Sequence, residues 1–151
     1  MGEEKRIVTP QDELTYKIIG CAMAVHRKLG AEYRENIYQR DLGIHFIEAG
    51  LAFEPQKMYE VQDDGRLVGY YIADFVVEEK VVVEIKALKG IDNSHVAQVI
   101  GYLAVSGCPI GLLINFGLRS LQFKRILPPK QFGQQQINRQ WLFVPDWLEA
   151  T

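Results

Sequence analysis

Residues Lys80 to Leu88 read K-V-V-V-E-I-K-A-L, and no other stretch constrains the architecture of the chain as tightly. Valine and isoleucine at this density favour a strand, and a strand that is apolar on both faces needs cover on both. A sheet flanked by helices follows. Glu84 and Lys86 interrupt the run with two charges, which are costly inside a sheet unless they have partners. The rest of the chain must therefore supply both the cover and the partners.

Helical patterns lie on either side of this run. Thr9 reads as an N-cap, Pro10 as the first helical position and Asp12 as a first-turn acid, with Leu14, Ile18, Cys21, Ala22, Val25 and Leu29 following at helical spacing until Gly30. A second helix is predicted from about Tyr33 to Ala49, with Ile37, Leu42, Ile44 and Phe46 among its apolar positions and Gly50 as its terminator. Together they form a hairpin. From Phe53 onward the pattern becomes that of strands: Met58 to Val61, the turn Asp63-Asp64-Gly65, Leu67 to Val77, and Lys80 to Leu88, an antiparallel meander. Asp92 or Asn93 caps a third helix that carries Val96, Val99, Ile100 and Leu103 and stops near Gly107. Ile110 to Phe116 then reads as a buried strand and Leu118 to Leu127 as a further one, before Pro128 and Pro129. The fold class is α+β, a mixed central sheet between helices. Residues 1–129 form one domain, and the tail 130–151, with Trp141, Leu142, Phe143, Val144 and Trp147, packs on that domain or on another subunit of a homo-oligomer.

Whole-chain properties narrow the function. A length of 151 residues suits one domain with its own core. A net charge of -2 argues against a protein that coats nucleic acid by bulk electrostatics, although it leaves room for a local basic groove. The two cysteines, Cys21 and Cys108, are too few for a structural zinc site and read as thiols of a reducing, cytoplasmic environment. No signal peptide is visible at Met1 to Arg6, and the apolar run Ile18 to Val25 is too short to span a membrane.

Side chains alternate along a strand, so Glu84 and Lys86 share a face, about 7 Å apart. A tight connection at Glu78 to Lys80 that pairs Val77 with Val81 also sets Asp74 opposite Glu84, with Cβ atoms about 5 Å apart. Two carboxylates this close repel at neutral pH and raise one pKa unless Lys86 or a divalent cation compensates. Mg²⁺ or Mn²⁺ suits such a pair, since a hard cation takes a few carboxylates together with waters and phosphate oxygens. The arrangement fits phosphodiester hydrolysis, in which the cation activates water and Lys86 orients that water or offsets developing charge.

Asp74, Glu84 and Lys86 form a D-x9-E-x-K pattern that resembles the PD-(D/E)XK nuclease superfamily, with Ala73 where the superfamily name has proline. Across Leu14 to Ile126 the chain is more specifically similar to the bacterial GxxExxY proteins of that superfamily. The matching residues are Val25-His26 with Leu29-Gly30, Glu35 with Tyr38, Ala73-Asp74-Phe75, Glu84-Ile85-Lys86, Gln98 with Tyr102, and Leu113-Ile114-Asn115-Phe116-Gly117. Glu32 stands where the motif's glycine would be, and Ala31 where proline is usual, so the departure falls in the turn of the helix hairpin. The resemblance implies a restriction-endonuclease-like core and a metal-dependent nuclease acting on nucleic acid, DNA by analogy, with RNA left open. It implies Asp74, Glu84 and Glu35 as metal ligands, Lys86 at the nucleophile, and Gln98 and Tyr102 on a helix beside the site.

Each of these residues also has a plainer reading. Asp74, Glu84 and Lys86 could form a structural ion-pair cluster, and Glu35 an ordinary helix carboxylate. Gln98 and Tyr102 could be the polar rim of an amphipathic helix. Tyr38 reads as core, His95 as exposed, His26 as a satisfied residue at a helix end, and the tail tryptophans as packing. The rival to an enzyme is a catalytically inactive nuclease-fold module serving in binding or assembly.

Overall fold

A computed structural model describes residues 10–132 and 137–149. Helices α1, Pro10–Leu29, and α2, Glu35–Glu48, form the expected hairpin. Thr9, the predicted cap, lies outside the described residues. Ile18, Ala22 and Val25 of α1 and Tyr38, Leu42 and Phe46 of α2 are completely buried, so each helix turns one stripe inward.

Five strands follow: β1, Phe53–Asp63; β2, Arg66–Val77; β3, Val81–Lys86; then, after helix α3, Asn93–Ser106, β4, Ile110–Asn115, and β5, Gln122–Ile126. They lie in chain order in one five-stranded sheet. The first three make the antiparallel meander, β3 and β4 run parallel, and β5 returns antiparallel, so the sheet is mixed as expected. The parallel step needs a crossover, and α3 provides it.

Every residue of β3 and β4 is buried, which is the condition their apolar sequences demanded. One core layer packs Ile18, Leu42 and Phe46 against Phe75, Val83, Ile85 and Ile114. The other packs Val99, Tyr102 and Leu103 of α3 against Val82 and Leu113. Tyr38 is core, as its plainer reading held, stacked on Phe116 with ring centroids 4.6 Å apart.

Two boundaries differ from the sequence reading by more than two residues. Strand β1 begins at Phe53 rather than Met58, because it pairs with β2 along most of its length. Residues Leu118 to Leu121 form a loop instead of the start of β5, since the Leu118 carbonyl is engaged by the His26 ring, 2.8 Å away, and not by a strand. Among the described residues no helix is long and apolar enough to cross a membrane.

The described residues of the C-terminal segment include a 3-10 turn, Arg139–Trp141, and a short helix α4, Asp146–Glu149. Phe143 forms an antiparallel bridge to Tyr70, with N–H to O distances of 2.8 Å in both directions. Strand β3 pairs with β2 only at Phe75, Val76 and Val77, so the rest of that edge of β2 is left for the tail. Gly69 permits the approach: a Cβ there would stand 2.7 Å from the Leu142 side chain and 2.8 Å from the Phe143 carbonyl oxygen.

Candidate active site

The site lies where β2 and β3 part. Their ladder runs Val77 to Val81, Val76 to Val82 and Phe75 to Val83, the register that the short Glu78 to Lys80 connection was expected to impose. Glu78 (φ 52°) and Glu79 (φ 58°) adopt left-handed backbone in that connection, at a cost of about 1 kcal/mol per residue. Glu78 is held there by Ala52, donating its N–H to the Ala52 carbonyl at 2.8 Å and accepting the Ala52 N–H on its carboxylate at 2.9 Å.

The next position brings Asp74 and Glu84 together, but the ladder does not continue. Asp74 N–H donates to Glu84 Oε1 at 3.2 Å, and Ile85 N–H donates to Asp74 Oδ2 at 2.7 Å. Each carboxylate accepts a backbone donor from the opposite strand. Strict alternation also fails here. Tyr71 and Ala73 pack in the α3 layer together with Val76, whereas Phe75 and Val77 pack in the other, so the side chains of β2 change faces beside Asp74 while its register with β1 is kept. Opposite on β1, Gln56 is left-handed (φ 51°) and its amide approaches Asp74 Oδ1 at 3.4 Å.

All three residues of the D-x9-E-x-K pattern are buried: Asp74 is 8% exposed, Glu84 2% and Lys86 6%. Burial holds the Glu84 carboxyl well above the usual carboxylate range, and the charge of Asp74 adds to the rise while Lys86 opposes it. Glu35, in the first turn of α2, is raised by burial and then by Asp74, and lowered by Lys86, so it lies within electrostatic reach of the same residues. Among the described residues, however, no three of Asp, Glu, His and Cys gather into a ready metal-binding group. The expected trio of Asp74, Glu84 and Glu35 is therefore a close pair with a third carboxylate acting at longer range. Asp74 and Glu84 each commit one oxygen to a backbone amide; of the other two, Asp74 Oδ1 has the Gln56 side-chain amide 3.4 Å away. Two hard oxygens with excess negative charge between them fit Mg²⁺ chemistry, with waters completing the coordination.

On α3, Gln98 Nε2 donates to the Tyr102 hydroxyl at 2.8 Å, and both side chains are buried. Burial and the charge of Glu84 push the Tyr102 phenol upward, so the pair lies within electrostatic reach of Glu84, and its burial excludes a solvated rim. Gln98 Oε1 is buried without a hydrogen-bond partner among the described residues. His95 departs from its expected exposure: its side chain is 12% exposed, and its Nδ1 accepts the Asp92 N–H at 3.0 Å as the reciprocal half of the helix cap. The Lys86 ammonium makes no ion pair among the described residues and lies 4.4 Å from the centroid of the Trp141 ring.

Two residues of this neighbourhood, Trp141 and Asn115, had no site role in the sequence reading. Trp141 comes from the tail, and no local pattern connects it to Lys86. Asn115 could have been found, since a lone amide ends an otherwise apolar strand; it is fully buried, and its side chain accepts the Leu88 N–H at 2.9 Å and donates to the Leu88 carbonyl at 2.9 Å, fixing the segment just after Lys86.

The raised Glu84 carboxyl makes stability depend on pH. In the folded protein its pKa exceeds the ordinary 4.5, so between the two values the native state holds the extra proton. The stabilisation is complete below the unfolded pKa and is lost as pH rises through the folded one. Metal-free protein should therefore melt at a lower temperature at about pH 8 than at about pH 5, and Glu84→Gln should flatten that slope. A wild-type profile that matches Glu84→Gln would show the carboxyl to be ionised without penalty.

Residues 12–126 match the PD-(D/E)XK nuclease superfamily. The chain belongs to that superfamily, whose nucleases generally use divalent metal ions. No curated protein matches the sequence. Among solved structures, SSO0001 shares 20% identity at a TM-score of 0.50, over 78% of this chain and 62% of its own. An alkaline exonuclease from Laribacter hongkongensis shares 13% identity at a TM-score of 0.48, over 82% of this chain and 73% of its own. The chain thus spans 62% of the length of SSO0001, and that likeness is one of fold.

Proposed function

We propose that the chain is a Mg²⁺-dependent nuclease of the GxxExxY group that hydrolyses phosphodiester bonds of DNA. Asp74 and Glu84 serve as metal ligands with Glu35 in support, Lys86 acts at the attacking water, and Gln98 and Tyr102 line the α3 side. The observation that carries this reading is the reciprocal Asp74 and Glu84 pair at the parting of β2 and β3, with a buried ammonium two residues further along β3. A bound divalent ion would supply the Lewis acidity that activates water and offsets phosphate charge. The chain's own residues do the rest. Lys86 presents a positive charge where a phosphodiester oxygen gains negative charge. The Tyr102 phenol, kept protonated, is a hydrogen-bond donor beside the carboxylates. DNA as the substrate rests on family analogy.

The test is an assay panel of linear and circular duplex DNA, single-stranded DNA and RNA with Mg²⁺, with Mn²⁺ and with chelator. Cleavage of DNA that requires the metal is expected, together with calorimetric Mg²⁺ binding in the millimolar range or tighter, of the order usual for two carboxylates. Cleavage of RNA alone would move the substrate assignment. Absence of both metal binding and cleavage would leave an inert nuclease-fold module.

A further inference from the structure

The superfamily match ends at Ile126, yet the tail beyond it delivers a side chain to Lys86. The placement is anchored on both sides of Trp141. Asn138 N–H donates to the Tyr71 hydroxyl at 3.0 Å, Leu142 packs on Gly69, and Phe143 bridges to Tyr70. Between these anchors the Trp141 ring faces the Lys86 ammonium, and its centroid lies 6.2 Å from the His95 ring.

We propose that Trp141 is a positioning residue for Lys86, its indole holding the ammonium by a cation–π contact so that the amine keeps one direction beside the carboxylate pair. An aromatic face attracts a desolvated ammonium without bringing a charge of its own, and tryptophan is the best of the aromatic rings. The lysine needs such a partner, because it is buried and forms no ion pair among the described residues. A four-carbon side chain without one samples many rotamers. Simple cover of the sheet does not account for the choice of residue. The indole Nε1 is buried without a hydrogen-bond partner among the described residues, a cost that leucine or phenylalanine would avoid. The consequence for catalysis rests on the nuclease reading; the contact itself does not.

Trp141→Leu keeps a smaller apolar side chain and removes the π face, and Trp141→Phe keeps a weaker one. In Trp141→Leu, kcat for metal-dependent cleavage should fall about tenfold with KM nearly unchanged, and Trp141→Phe should recover most of it. Independently of activity, labelling of Lys86 by an amine-reactive reagent, read by mass spectrometry, should speed up about tenfold in Trp141→Leu and less in Trp141→Phe. A third measurement covers misfolding of either variant: with Trp147→Phe leaving Trp141 as the single tryptophan, Lys86→Met should change the Trp141 emission. Equal labelling of Lys86 in wild type and Trp141→Leu, or an emission indifferent to Lys86→Met, overturns the proposal. Failure of wild-type protein to cut any nucleic acid overturns the nuclease reading and leaves the labelling and emission to decide the contact.

Discussion

Asp74→Asn and Lys86→Ala should each lower metal-dependent cleavage by roughly 10³-fold, the scale set by removing one preorganised charged group from a transition state. The asparagine variant is chosen for a structural reason. Asp74 Oδ2 accepts the buried Ile85 N–H, so Asp74→Ala would combine the loss of a metal ligand with an orphaned amide, a cost of about 1–3 kcal/mol. The amide oxygen of asparagine can still accept that bond while the negative charge is gone. Asp74→Asn should therefore melt close to wild type and lose Mg²⁺ binding. Lys86→Ala should keep Mg²⁺ binding, since the carboxylates remain and an opposing cation has been removed. Asp74→Ala should be as inactive as Asp74→Asn but less stable. Steady-state rates, calorimetric Mg²⁺ titration and melting curves separate these outcomes. Activity that survives in both Asp74→Asn and Lys86→Ala would show that the D-x9-E-x-K pattern serves structure here and that any cleavage occurs elsewhere.

The site was legible in the sequence to the extent that it depended on local rules. The apolar run around Glu84 fixed a buried strand, and the short Glu78 to Lys80 connection fixed the register that brings Asp74 to Glu84. A one-residue error there would have turned Asp74 to the opposite face. The change of faces beside Asp74 was not legible. It involves the opposed Gln56 and the loss of β3 as a neighbour, and neither is a property of β2 itself. His95 was misread because a capping box is usually completed by Glu or Gln at the third helical position, and here an imidazole takes that place. The tail was read as packing of unspecified direction. Its bridge to Tyr70 requires an open edge that appears only once β2 and β3 have parted, so the placement of Trp141 follows from tertiary structure alone.

Gly117→Ala should destabilise the protein by about 3 kcal/mol, at the upper end of what overpacking costs. An added Cβ would stand on the backbone of Leu88 and 2.6 Å from the carbonyl carbon of Ala87. Backbone cannot swing aside as the end of a flexible side chain can. Nor is this stretch free to shift, because Phe116 N–H donates to the Lys86 carbonyl at 2.8 Å, and Asn115 Oδ1 accepts both the Leu88 N–H at 2.9 Å and the Gly117 N–H at 3.1 Å. The bracket joins the ends of β3 and β4, and Lys86 is the last residue of β3. Relief of the clash must therefore strain these hydrogen bonds or move Lys86. Urea unfolding should register the loss as a lower midpoint with an unchanged slope. Cleavage measured well below that midpoint should fall by more than the unfolded fraction explains. Gly20→Ala is the matched control: it lies within α1 with nothing within 4 Å of the added carbon, and should gain up to about 1 kcal/mol from helix propensity. If Gly117→Ala unfolds at the wild-type urea concentration, the end of β3 yields easily, and Lys86 is not held in place by the bracket beneath it.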